Sequence, residues 1–368
     1  MRSPEDIPKT FCSLGRLGKS LLFNADISYC RNVTNDNLVA IKCLDTDFLP
    51  SSLLALLQHE VRLSRNLSHS NVITFSSIFL HGSKLCMVMP LMEYGSCTDI
   101  MSAHFKYGLS EHVIALIMRE VLKALVYIHS MRLIHRGIKG SHILVSKTGA
   151  VKLTGHRNVI ELTREGVQVR KVHDFPKHDT SLLPWLSPEI LQQNMQGYDT
   201  KSDIYSLGIT ACELANGHAP FIDMPSTQML LEKLNGTIPY VLDESTVPPP
   251  SDIADDLDSS TVNLNHEVTR LSMIKTARSR RFSPPFHKFV TDSLEREPEL
   301  RLTAEELLKH PFLKQLKNRS NMEIFQPIFK ELTPVGSDRK DGDSQPEDST
   351  VTQMGELSID DTEWDFGS

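Results

Sequence analysis

The residues able to do chemistry crowd into one stretch, Leu133 to Arg157. It reads Leu133-Ile134-His135-Arg136-Gly137-Ile138-Lys139-Gly140-Ser141-His142-Ile143-Leu144-Val145, then a turn, then Val151-Lys152-Leu153-Thr154-Gly155-His156-Arg157. The order of these residues resembles that of known phosphate-handling loops. Phosphoryl transfer to a hydroxyl needs a carboxylate to take the proton and oxygen ligands to hold magnesium. In that scheme the proton acceptor falls at Gly137, one metal ligand at His142 and the other at Gly155. Gly137 can neither accept a proton nor orient a hydroxyl. An imidazole is a poor ligand for a hard, oxygen-seeking cation, and Gly155 is no ligand at all. Loss of a proton-transfer group alone costs about 10²–10⁴ in rate, and loss of both ligands leaves phosphate charge without its counter-ions. The frame of the chemistry is present and the groups that perform it are missing.

The frame resembles a protein-kinase catalytic core, with His-Arg-Gly for His-Arg-Asp and Gly-His-Arg for Asp-Phe-Gly. The expected fold is α+β and bilobal, a small β-rich lobe and a large helical lobe, in a chain that no longer transfers phosphate. Lys139 takes the place of a phosphate-facing lysine, and His142 and Arg157 occupy or adjoin the metal-ligand positions. Three potential cations then face one phosphate pocket. They are expected to replace magnesium electrostatically, so that ATP binds without metal. The competing reading is that His142 and Arg157 fill space or pair with nearby carboxylates.

The elements that must position these groups are legible in order. Phe11 to Leu44 has the pattern of three strands, with a turn at Thr34-Asn35-Asp36-Asn37. Whichever of Gly15 and Gly18 opens the glycine loop, one motif glycine survives. Such a loop brings fewer backbone N–H groups close to phosphate. Val39-Ala40-Ile41-Lys42 matches the third strand, whose lysine grips the α- and β-phosphates. Ser51 to Leu67 reads as a helix with Leu53, Leu56, Leu57, Val61 and Leu63 on a largely apolar face. It carries Glu60, the expected partner of Lys42. Strands over Val72–Leu80 and Lys84–Met89 lead into a hinge, with Met89 as gatekeeper and the backbone around Leu91 meeting adenine. Ser110 to Met131 is a long helix with Ser110 as its N-cap.

Between Gly155 and Glu189 lies the activation-segment equivalent, with Arg164, Arg170, Lys171, Phe175 and Lys177. Its basic charge without catalytic support points to a docking face, with Arg170, Lys171 and Phe175 as contacts; the alternative is a plain solvated loop. Glu189 is expected to pair with Arg301, and Asp203 to anchor the catalytic-loop backbone. The expected organisation is a short N-terminal segment (1–10), a small lobe (11–92), a large lobe (93–313) with a mobile insert at about 245–283, and a C-terminal tail (314–368). The tail ends in Trp364-Asp365-Phe366, two aromatics among carboxylates, a pattern fitting a linear docking motif.

The chain has 368 residues, 40% of them hydrophobic, and a net charge of -7 spread over both signs, so nothing suggests a nucleic-acid surface. No signal peptide or membrane-length apolar run is expected. The 6 cysteines form no Cys-x-x-Cys pair and are expected to be reduced and mostly buried.

The stretches Lys139–Leu144, His173–Lys177, Pro184–Glu189, Gln193–Asp199 and Lys201–Phe221 resemble the sterile-twenty-related adaptor pseudokinases, the STRAD family. The resemblance implies an adaptor that binds and allosterically activates a serine/threonine kinase, liver kinase B-one. It implies a helical-repeat scaffold, Mo-twenty-five, that receives the tail, and a partner moved from nucleus to cytoplasm. The family tail ends Trp-Glu-Phe; here it is Trp364-Asp365-Phe366, followed by Gly367 and Ser368. The glycine loop is poorer than the family's, and from a start close to the first strand the relatives' upstream extension is expected to be absent. The runner-up is a slow, metal-independent kinase resting on Lys42 and Glu60; a third reading is a scaffold that binds no nucleotide.

Overall fold

The fold was analysed in a computed structural model. The structure describes residues 10–336 except 21–24, 48, 165, 177–179, 194–195, 223 and 248–273. The small lobe is a five-stranded antiparallel sheet in the order β1 (Phe11–Ser20), β2 (Ala25–Asn32), β3 (Leu38–Asp45), β5 (Lys84–Pro90), β4 (Ser77–His81). The fourth strand starts later than expected, because Val72 instead bridges Leu153 of the large lobe. Strand alternation divides β3 between two faces. Ile41 packs with Cys30, Cys86 and Val88 on one side, and Leu44 packs with Ala25, Met87 and Leu57 on the other. Leu57 belongs to α1 (Ser51–Asn66), so Lys42, on the face of Leu44, points at that helix.

The β3–β5 register also sets Cys43 opposite Cys86, with Cα atoms 4.3 Å apart, and the two are disulfide-bonded. This corrects the expectation of thiols throughout. A cross-strand neighbour is set by register, which a sequence separation of 43 conceals. Cys30, Cys97 and Cys212 are free and buried, and burial raises each thiol pKa.

The large lobe is built on α2 (Cys97–His104), α3 (Glu111–Ser130) and α5 (Lys201–Asn216). From Ser202 to Asn216 every residue of α5 is buried, so this helix is the lobe's axis rather than an amphipathic cover. Ser110 sits at the N-cap of α3 without a side-chain hydrogen bond; its carbonyl takes the amides of Val113 and Ile114. The pairs β6 (Leu133–Ile134) with β9 (Ile160–Glu161) and β7 (Ile143–Val145) with β8 (Val151–Leu153) frame the loop seen in the sequence. A hairpin of β10 (Thr163–Arg164) and β11 (Val167–Gln168) follows, then α4 (Pro188–Leu191), α6 (Ser226–Asn235), α7 (Pro284–Ser293), α8 (Ala304–Leu307) and α9 (Asn321–Phe329).

Two expected boundaries move. Residues 274–283 lie within the fold: Ala277 is buried, and Arg280 donates to the Leu242 carbonyl at 2.8 Å and to the Tyr107 carbonyl at 2.5 Å. Residues 248–273 of the expected insert lie outside the described residues. The tail does not begin at 314 either. Ile324, Phe325 and Ile328 join the core, and the compact body ends at Gly336. Trp364 and Phe366 lie outside the described residues. Among the described residues no helix is long and apolar enough to cross a membrane.

Candidate functional site

The loop around Arg136 is held from below by Asp203 of α5. Its carboxylate accepts the amides of His135 and Arg136, each at 2.8 Å, and lies 2.9 Å from His129 Nε2. Burial pushes this carboxyl up, but the hydrogen bonds and charge from His129 and the His135 amide outweigh it and hold the group below its ordinary value. The ionised form is what these donors require. Glu189 and Arg301 pair in two contacts of 2.7 and 3.3 Å with both side chains buried, fixing the lobe without touching the chemistry.

At the upper edge, Lys42 Nζ lies 3.1 and 3.2 Å from the two Glu60 oxygens, and both residues are buried. Helix α1 is tied in a second time: His59 Nε2–H donates to the Val159 carbonyl at 2.7 Å. That bond links the helix to the segment just after Gly155 and had no sequence signal. Leu91 is buried in the hinge; Met89 is half-buried at the end of β5.

Between the two glycines sits His142. Its Nδ1 lies 2.6 Å from the Gly137 carbonyl. A carbonyl only accepts, so Nδ1 carries a proton, and in the neutral ring Nε2 is then the acceptor. Burial drives the His142 pKa well below its ordinary value, and the charges of Lys139 and Arg157 push the same way against the Gly137 bond. The expected trio of cations is therefore corrected. Lys139 and Arg157 supply the positive charge, and His142 is a neutral ring filling the gap. Gly155 has φ 92°, and a Cβ there would stand 2.6 Å from His142 Nδ1 and 2.9 Å from its Cγ. The imidazole thus occupies the space that a carboxylate at 155 would need.

Two more rings line the site. His135 and His156 meet edge-on, centroids 5.8 Å apart. Burial lowers the pKa of His135 to about 4, against the pull of Asp203. Burial, with the charges of His135 and Lys42, lowers His156 to about 3. Of the three buried rings, His142 holds a metal-ligand position, and His135 and His156 flank the base and second-ligand positions at Gly137 and Gly155. Among the described residues, no group of three or more His, Cys, Asp or Glu could hold a metal ion.

Lys139 is buried and turned toward the activation segment: its ammonium donates to Ser181 Oγ at 3.2 Å and lies 5.4 Å from the Trp185 ring centroid. Trp185 Nε1 and the Gly140 amide both donate to Glu213, at 2.8 and 2.9 Å, which ties the loop to that segment. Of the expected docking contacts, Arg170 is exposed. Lys171 is paired with Glu299 at 3.0 Å, and Phe175 packs half-buried on the cluster of Ile134, Val172, Leu182 and Tyr198. The side chain of Arg164 and the whole of Lys177 lie outside the description.

Behind the hinge, Phe329 of α9 stacks on Tyr94 at 4.2 Å, and the Val335 amide donates to the Glu93 carbonyl at 2.9 Å. A sequence signal for α9 existed: Ser320 and Glu323 form a capping box ahead of Ile324, Phe325 and Ile328.

The protein kinase domain family matches residues 24–313. The STE20-related kinase adapter protein alpha of Gallus gallus is 44% identical over 322 residues, 84% of this chain and 81% of that protein. The Homo sapiens alpha protein is 41% identical over 363 residues, covering 95% and 83%. The Homo sapiens beta protein is 39% identical over 307 residues, covering 81% and 73%. With a kinase fold throughout its body and this likeness along nearly its whole length, the chain belongs to the STE20-related kinase adapter proteins.

Proposed function

We propose that this chain is a non-catalytic adaptor that binds ATP without magnesium and allosterically activates a serine/threonine kinase of the liver kinase B-one type. The observation that carries the reading is one juxtaposition. The Lys42–Glu60 pair is closed and buried, while the positions of the base and metal ligands hold Gly137, Gly155 and the neutral ring of His142. A shape maintained without its chemistry serves recognition. Lys42, Lys139 and Arg157 offset nucleotide charge in place of a cation, Glu60 orients Lys42, and the backbone beside Met89 and Leu91 receives adenine. His142 contributes packing rather than charge. The face around Arg170, Lys171 and Phe175 meets the partner kinase. Trp364 and Phe366 engage a helical-repeat scaffold of the Mo-twenty-five type, and the assembly controls whether the partner resides in nucleus or cytoplasm. The names of the relatives, kinase adapter proteins, support an adaptor role.

The test is reconstitution. The purified partner kinase, assayed on a peptide with and without this chain and scaffold, is expected to gain activity with the chain present, and the chain alone to transfer no phosphate. Phosphate transfer by the chain alone, abolished by Lys42→Met, would favour the slow, metal-independent kinase. The Lys42–Glu60 pair is the one feature that supports that second reading.

A further inference from the structure

Among the fastenings of the segment that carries the docking face is one buried arginine, Arg136. Arg136 has left-handed backbone, φ 56°, and its side chain is buried. Its guanidinium donates to the Asn158 carbonyl at 2.6 Å, to Asp174 Oδ2 at 2.7 Å and to the Tyr198 hydroxyl at 3.0 Å. The Tyr198 hydroxyl in turn donates to the Asp174 carbonyl. The backbone of the same Tyr198 exchanges both hydrogen bonds with Val172 at 2.9 Å. Asp174 is thus held at its carboxylate by Arg136 and at its carbonyl by Tyr198.

A buried guanidinium needs an anion, because desolvation without a partner is costly. Where such segments are switched, the anion is a phosphate added to the segment, and the new arginine–phosphate pair orders it. Here the anion is encoded. We propose that Asp174 is a positioning residue that keeps the activation segment in its docking shape through Arg136, with no need for phosphorylation. The inference rests on the adaptor reading for its consequence and on geometry for its mechanism. Asp174 lies between His173 and Phe175, so the ion pair sets where Phe175 packs and how Arg170 and Lys171 are presented. Because the Asp174 side chain is 54% exposed, the pair is open to salt.

The test compares the full chain with Asp174→Asn and Asp174→Glu by amide hydrogen exchange over residues 166–176, by partner-kinase activation, and by salt dependence. D174N is expected to exchange roughly tenfold faster there and to need roughly tenfold more protein for half-maximal activation. D174E, which keeps the charge, is expected to restore most of both. In the parent, exchange rises with salt, and in D174N it does not; loss of packing alone would not remove that dependence. Phosphatase treatment of the parent is expected to change nothing. Unchanged exchange or unchanged activation in D174N overturns the proposal, as does a parent segment that loosens after phosphatase. If the parent itself fails to activate any kinase, the adaptor reading falls, while the exchange contrast still decides whether Asp174 positions the segment.

Discussion

Restoring a metal ligand at position 155 is expected to damage this protein rather than repair it. In Gly155→Asp, a Cβ would stand 2.6 Å from His142 Nδ1 and 2.9 Å from its Cγ, distances that force something to move. His142 is buried and bonded to the Gly137 carbonyl at 2.6 Å, so the ring has little freedom to yield. Two costs add. A non-glycine residue at φ 92° carries about 1–2 kcal/mol, and overpacking a filled site carries about 1–3 kcal/mol. Their sum, about 2–5 kcal/mol, corresponds to a fall in Tm of roughly 3–7 °C for a body of this size. Thermal melting is the assay, run with and without magnesium. His142→Asn in the same chain empties the contested space and is expected to return the overpacking part, about half the loss. The reasoning is refuted if G155D melts with the parent, or if magnesium stabilises G155D alone, since the ring must then swing aside freely.

Three further outcomes follow from the geometry. His135, His142 and His156 all have pKa values lowered by burial, so the unfolded chain binds their protons first as pH falls. Their contribution is whole above about pH 6.5 and is lost below it, at about 1.4 kcal/mol per pH unit for each ring; urea melts from pH 7 to 5 check this, and His156→Phe should flatten the slope. Glu189→Gln leaves the buried Arg301 guanidinium without its anion and is expected to cost about 3–5 kcal/mol in the same melts, whereas conservative changes at the exposed Arg16–Asp26 pair should cost under about 1 kcal/mol. Phe329→Ala removes the stack on Tyr94, and faster hydrogen exchange of the Val335 amide, with about 1–3 kcal/mol lost, is the expected readout.

Much of the site was legible because kinase motifs fix residues at short range. Lys42 lies within its strand, Glu60 one helix later, and Asp203 at a helix start, and each falls where its motif places it. What escaped depended on pairing or burial. The Cys43–Cys86 bond follows from strand register, and His59 with Val159 and Arg136 with Asp174 span 100 and 38 residues. The charge of His142 could not be read from its type, since a histidine close in sequence to Lys139 looks cationic until its burial is known. The boundary at 314 overlooked α9, whose capping box and apolar face outweigh the Pro327 within it.

The central claim is nucleotide binding by a site with cations in place of magnesium. The direct measurement is the melting temperature of the purified chain with ATP, with ATP and magnesium, and with ATP and EDTA. At a hundredfold excess over Kd a bound ligand adds about 2.7 kcal/mol, roughly 4 °C here. The expected result is a rise of that order that survives EDTA and is reduced when Lys139 or Arg157 is neutralised. A rise that appears only with magnesium, or no rise under any condition, would contradict it.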